Sequence, residues 1–136
     1  MSIFTRKPVF DWFELEVLYR MTQSLGDTDR EVLLDQISRF NKVHRDPPDH
    51  GMKHVESYFY WKSWGRVRRD YPKKFSTGKL EASLGWIQIK DDDVRIRVDF
   101  FLIEDVLFSI KFTSAQEIFR PRSSKYEVEH VQVLLS

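Results

Sequence analysis

Cysteine is absent from the 136 residues, which removes disulfides, thiolate nucleophiles and cysteine-ligated zinc together. Stability must then come from an apolar core. Glycine and proline are scarce, five of each, and no glycine sits in a Gly-x-Gly-x-x-Gly, Gly-Lys-Ser/Thr or Gly-x-Ser-x-Gly pattern. A phosphate-cradling loop and a nucleophile elbow are both missing. No apolar run approaches the roughly 18 residues that span a bilayer, and no apolar stretch of signal-peptide kind precedes the first acid, Asp11. The expectation is a cytoplasmic protein with no membrane partner.

What is present is ample apolar and aromatic mass, 41% and 15% of the chain, enough to offset the entropy of ordering it. The length suits one domain over 1–136, with about two-thirds of the unfolded surface buried. Net charge is only +1, yet residues 1–79 carry 15 Lys/Arg against 11 Asp/Glu, and 80–136 carry 7 against 10. Basic character collects in the first part. Between Tyr58 and Lys79 seven large aromatics interleave with seven bases and a single acid, Asp70. Aromatics and arginine carry most binding energy at interfaces, so this segment is the first place to seek a partner. A solvated surface with aliphatic stems over apolar neighbours would show the same charges.

Phe10, Phe13, Val17, Leu18, Met21 and Leu25 recur at helical spacing and predict a helix over 8–25, with Pro8 in its first turn and Gly26 as its stop. Thr28 and Glu31 have capping-box spacing, so a second helix should begin there and run to Asp46-Pro47-Pro48. For 50–71 two readings stay open: a strand over 54–61 followed by a short helix over 64–70, or one long helix over 49–70. Beyond Gly78 the period becomes two. Leu80, Ala82, Leu84 and Trp86 alternate until Ile87 and Ile89 fall on the other phase, which predicts a bulge near Gly85. Val94, Ile96, Val98 and Phe100, then Val106, Phe108, Ile110 and Phe112, should face inward on two further strands joined at Glu104-Asp105. Ser114 and Glu117 suggest one helical turn, and a last strand covers 126–135. The fold class is α+β: an N-terminal helical hairpin on a curved antiparallel sheet of about four to five strands.

Chemical signatures are weak by comparison. His50 and His54, with Asp46, Asp49 and Glu56, have ligand types but lack the Glu of a metalloprotease helix, and capping or surface histidines explain them better. Asp91-Asp92-Asp93 lacks the glycine and terminal glutamate of a calcium loop and reads as a turn. Glu81, Lys90 and Asp99 resemble a nuclease set only as any half-exposed strand would. No catalytic residue, metal or cofactor is therefore assigned.

In element order the chain resembles the cystatin-like, cone-shaped α+β folds, of which the nuclear-transport-factor-2-like proteins are one group. That resemblance implies a pocket lined by Trp61, Trp86, Phe100 and Phe108, for a small ligand or a substrate. In size and character the chain is similar to bacterial immunity proteins, which neutralise a toxin by occluding it. The expectation is a small non-catalytic module that binds a protein, a cognate toxin being the leading case. Its contact residues should be Trp61, Trp64, Arg66, Arg68 and Arg69, with Arg95, Arg97 and Asp99 on an exposed strand face. Nucleic-acid binding through 58–79 is the further alternative, set against the small net charge.

Overall fold

The computed structural model describes residues 9–47, 54–123 and 125–135. The first helix, α1 (Trp12–Ser24), buries Phe13, Val17, Leu18 and Met21, the stripe that the periodicity predicts. It starts at Asp11. The Asp11 carboxylate accepts the Glu14 N–H, and the Glu14 carboxylate accepts the Asp11 N–H, both at 2.8 Å. This capping box satisfies two amides that the helix leaves open. Pro8 lies outside the described residues.

Helix α2 (Asp27–Arg39) follows directly, and its N-cap is Gly26, not Thr28. Thr28 lies inside the first turn, where Asp27 and Asp29 complement the helix dipole in place of a side-chain cap. Arg30 closes the joint by donating to the carbonyls of Thr22, Gln23 and Leu25 at the end of α1. The helix also ends earlier than the prolines suggest. Phe40 caps it, and the next residues form strand β1 (Lys42–Asp46), paired along its length with β2 (Glu56–Tyr60). With Val43 its one buried apolar residue, β1 gives almost no alternation to read.

Neither reading of 50–71 holds beyond β2. Instead of a helix over 64–70, strands β3 (Lys62–Ser63) and β4 (Arg66–Val67) make a short ribbon around Trp64-Gly65. Strands β5 (Glu81–Asp91), β6 (Val94–Ile103), β7 (Val106–Thr113) and β8 (Glu127–Val133) complete the main sheet, which is antiparallel throughout with order β1-β2-β7-β6-β5-β8. It has six strands, β1 among the additions. Ala115 to Glu117 form a turn, not a helix.

The sheet has three register breaks among the described residues: two set which side chains of β5 and β7 enter the core, and the third is at Gln88/Ile89 on the β5–β8 ladder. Between Ser83 and Gly85 the β5–β6 ladder slips, as the phase change predicts, so Leu84, Ile87 and Ile89 point inward; Trp86, expected in phase with Leu84, points outward because the break precedes it. The second was not legible: a slip between Phe101 and Leu102 puts Leu107 into the core and leaves Val106 and Phe108 only partly buried. Gly85 is required where it is. Its φ is +153°, and a Cβ there would lie 2.1 Å from the Gln132 carbonyl oxygen.

The helices cover one face, and the interior between them and the sheet is filled by Phe13, Leu18, Met21, Ile37, Phe100 and Phe112 with their neighbours. Phe100 lies in that core, Trp86 and Phe108 project from the sheet, and Trp61 sits at the core's edge. The four residues expected to line a common pocket are thus not gathered around one.

Candidate functional site

Trp64 and Gly65 both have left-handed backbone, φ +54° and +73°, the requirement of a two-residue type I′ turn. Such positions favour Asn, Asp or Gly, and a tryptophan is conformationally costly there. Its side chain is also 98% exposed. Two unfavourable features therefore coincide at one residue, on the tip of a ribbon that projects between β2 and the irregular segment before β5.

The ribbon's root is held firmly. The Asn41 side chain accepts the Lys62 N–H at 2.8 Å and donates to the Lys62 carbonyl at 2.7 Å, splicing the ribbon's root to the start of β1. The Arg68 amide donates to the Trp61 carbonyl at 2.6 Å, closing the far side. Trp61 meets the Arg39 and Arg68 guanidinium groups at 5.0 and 4.6 Å from its ring centroid and touches Tyr71 edge-on. Arg68 is further fixed by a bidentate pair with Asp70, 2.8 and 2.5 Å. That hydrogen bond holds the Asp70 carboxyl down to about 2. Arg66, next to the turn, and Arg69, past the ribbon's root, are exposed, whereas Arg68 is half-buried.

Beside the ribbon lies a cleft of about 220 Å³ with apolar walls that include Trp61, Val67, Tyr71, Val106 and Phe108. Its charged lining residues are Arg68, Arg69, Lys74 and Glu104. The wall over 71–78 has no regular structure of its own and is pinned by two polar side chains. Gln36 of α2 donates to the Lys73 and Asp105 carbonyls and accepts the Leu107 N–H at 2.9 Å. Asp105 accepts the amides of Thr77 and Gly78 and the Thr77 hydroxyl. Burial raises the Asp105 carboxyl, but these bonds and Lys74 outweigh it and the net shift is downward.

The remaining predicted contact residues lie elsewhere. Arg95 pairs with Glu129 at 3.1 Å, and Arg97 pairs with Asp99 at 3.1 Å while stacking over Trp86 at 4.4 Å. They occupy the outer face of β6, and Arg97 is six residues from Ile103 at the cleft, roughly 20 Å along a strand. The structure thus separates the eight residues into a ribbon group and a sheet-face group.

A second cluster escaped the sequence reading. Glu14, Ser57 and His54 are buried beside Asp11, Arg45 and Arg120. Arg45 donates to both Glu14 oxygens at 3.0 and 2.5 Å, and Arg120 pairs with Asp11 at 2.6 Å. Ser57 donates its hydroxyl proton to Glu14 at 2.6 Å, and Arg120 directs two N–H groups at His54 Nε2. A hydrolytic triad places the histidine between serine and carboxylate, with its free nitrogen taking the serine proton. Here His54 Nε2 does lie 3.1 Å from Ser57 Oγ, but the serine proton goes to the Glu14 carboxylate and Arg120 directs its guanidinium at that nitrogen. Asp11, Glu14 and His54 offer ligand atoms within 4.8 Å of one another, but two arginines already compensate the charge a divalent ion would require. The arrangement is a charge-balanced link joining the start of α1, β1, β2 and the 114–123 loop. The capping box, Asp11 with Glu14 three residues on, was its one sequence signal. His54, expected as a surface or capping residue, is buried, and Glu56 belongs to the opposite face with Tyr58 and Ser109. Asp49 and His50 lie outside the described residues.

No family model, curated protein or solved structure matches this chain. Among the described residues, no helix is long and apolar enough to cross a membrane.

Proposed function

We propose that this chain is a non-catalytic protein-binding module that engages its partner through the β3–β4 ribbon. One observation carries the reading: Trp64, fully exposed and in a left-handed conformation, on a tip whose root is fixed by Asn41. Tryptophan and arginine dominate interface hot spots, and a ribbon whose root is already fixed loses less backbone entropy when it is seated in a partner. Strained backbone is retained where something outside local stability selects it. Occlusion of a toxin, as immunity proteins do, is the specific form of this proposal that the size and character of the chain suggest.

The test is co-expression with the product of the neighbouring gene, followed by capture on the tagged chain. Wild type should retain that product, Trp64→Ala and Arg69→Glu should retain about tenfold less or worse, and Arg95→Ala, on the other face, should match wild type. Equal capture by all four proteins, or none by wild type, refutes the ribbon as the interface.

A further inference from the structure

The cleft beside the ribbon supplies a chemistry for the partner, and the inference rests on the ribbon being the interface. An apolar cavity of about 150 Å³ is enough to hold a benzene ring. The cleft, at about 220 Å³, takes one six-membered ring with little to spare. Its charged lining residues are three cations, Arg68, Arg69 and Lys74, against Glu104. Arg68 is already paired with Asp70 and Lys74 acts on the Asp105 carboxylate, which leaves Arg69 as the lining cation set against Glu104, with the exposed ribbon cations Lys62 and Arg66 nearby in the chain. Of the seven bases from Lys62 to Lys79, Arg68 and Lys73 pair with Asp70 and Glu31 and Lys74 acts on Asp105, so the positive charge of the surroundings comes from Lys62, Arg66, Arg69 and Lys79.

The rings that line it are poorly disposed to stack a nucleobase. Trp61 has guanidinium groups over its ring, and Phe108 meets Tyr58 and Tyr60 edge-to-face. Base platforms need exposed aromatic faces in series. A side chain entering end-on needs only the apolar walls, and carboxylates beside it would meet the rim.

We infer that the cleft is the receptor for an aromatic side chain flanked by carboxylates on the partner protein, with Trp64 seated against the partner alongside it. Phenylacetate is the minimal mimic, one ring and one carboxylate, and phenethylamine is its cationic counterpart. In a two-dimensional NMR titration of the labelled full chain, phenylacetate should move the Val67, Ile103 and Val106 signals along a saturable curve. Phenethylamine should move them little. The variant Arg69→Glu changes only an exposed side chain and should weaken the phenylacetate response about tenfold.

Equal response to the two probes, or no response at the cleft, overturns the inference. If Trp64-dependent capture persists in that case, the ribbon interface stands without it. A single-stranded oligo-dT that shifts the same signals, displaces phenylacetate and loses affinity steeply with salt would also overturn it, in favour of nucleic acid. If phenylacetate binds but capture ignores Trp64, the cleft is not a partner pocket.

Discussion

At the scale of single residues, Trp64 makes the separation of function from stability measurable. Asparagine tolerates the left-handed conformation of a type I′ turn far better than tryptophan. Trp64 touches little of the fold, so replacing it should remove no core packing. Trp64→Asn should therefore leave the chain as stable or more stable, by about 0.5 kcal/mol, while partner capture falls. Paired thermal melts and pull-downs check this. A clear drop in melting temperature would mean that the indole supports the fold, and the functional reading of its exposure would fail.

At the scale of elements, the register breaks decide which rings serve the core and which face outward. Gly85 sits at the break in β5, under Met21 of α1 and against the backbone of β8. Gly85→Ala would place a methyl carbon 2.1 Å from a carbonyl oxygen in a backbone region that L residues avoid. Either β8 must move or the bulge must relax. The expected loss is about 2–4 kcal/mol, read as a shifted denaturant midpoint, with hydrogen exchange faster in β8 than in β2. Uniform loss across the sheet would mean that β8 docking does not depend on this approach. The second break, at Phe101/Leu102, has an equal effect on the surface, because it turns Phe108 outward to wall the cleft.

At the scale of the whole molecule, the buried ionic link ties the first helix to both early strands and to the loop before the last strand. Burial raises the Asp11 carboxyl, but the Arg120 hydrogen bond and charge, the Glu14 amide and Arg45 together bring it below its ordinary value. A carboxyl whose folded pKa is lowered contributes its full stabilisation above the unfolded pKa of about 3.9. That contribution disappears as pH falls through the folded value. Asp11→Asn should be less stable than wild type near neutrality, and the gap should narrow as pH falls below about 4. Urea unfolding at several pH values measures it. A gap that stays constant down to acid pH would show that the charge of Asp11 adds nothing beyond its capping hydrogen bond.

Several features were legible from the chain because local physics suffices for them. The stripe of α1 follows from Phe13, Val17, Leu18 and Met21, the alternation of β6 from Val94 to Phe100, and the bulge near Gly85 from the phase change after Trp86. The α+β class follows from these together. Strand β1 was not legible, since Lys42 to Asp46 gains its conformation by pairing with β2, not from its own pattern. The ribbon was missed for a related reason: Trp64-Gly65 is an unfavoured turn pair, and Asn41, more than twenty residues earlier, holds it. Composition alone flagged the aromatic-basic segment. Only the tertiary structure divided it, burying Phe59, Tyr71 and Phe75, half-burying Trp61 under two arginines, and leaving Trp64 in water. Burial depends on which faces meet across the chain, and no local spacing encodes that.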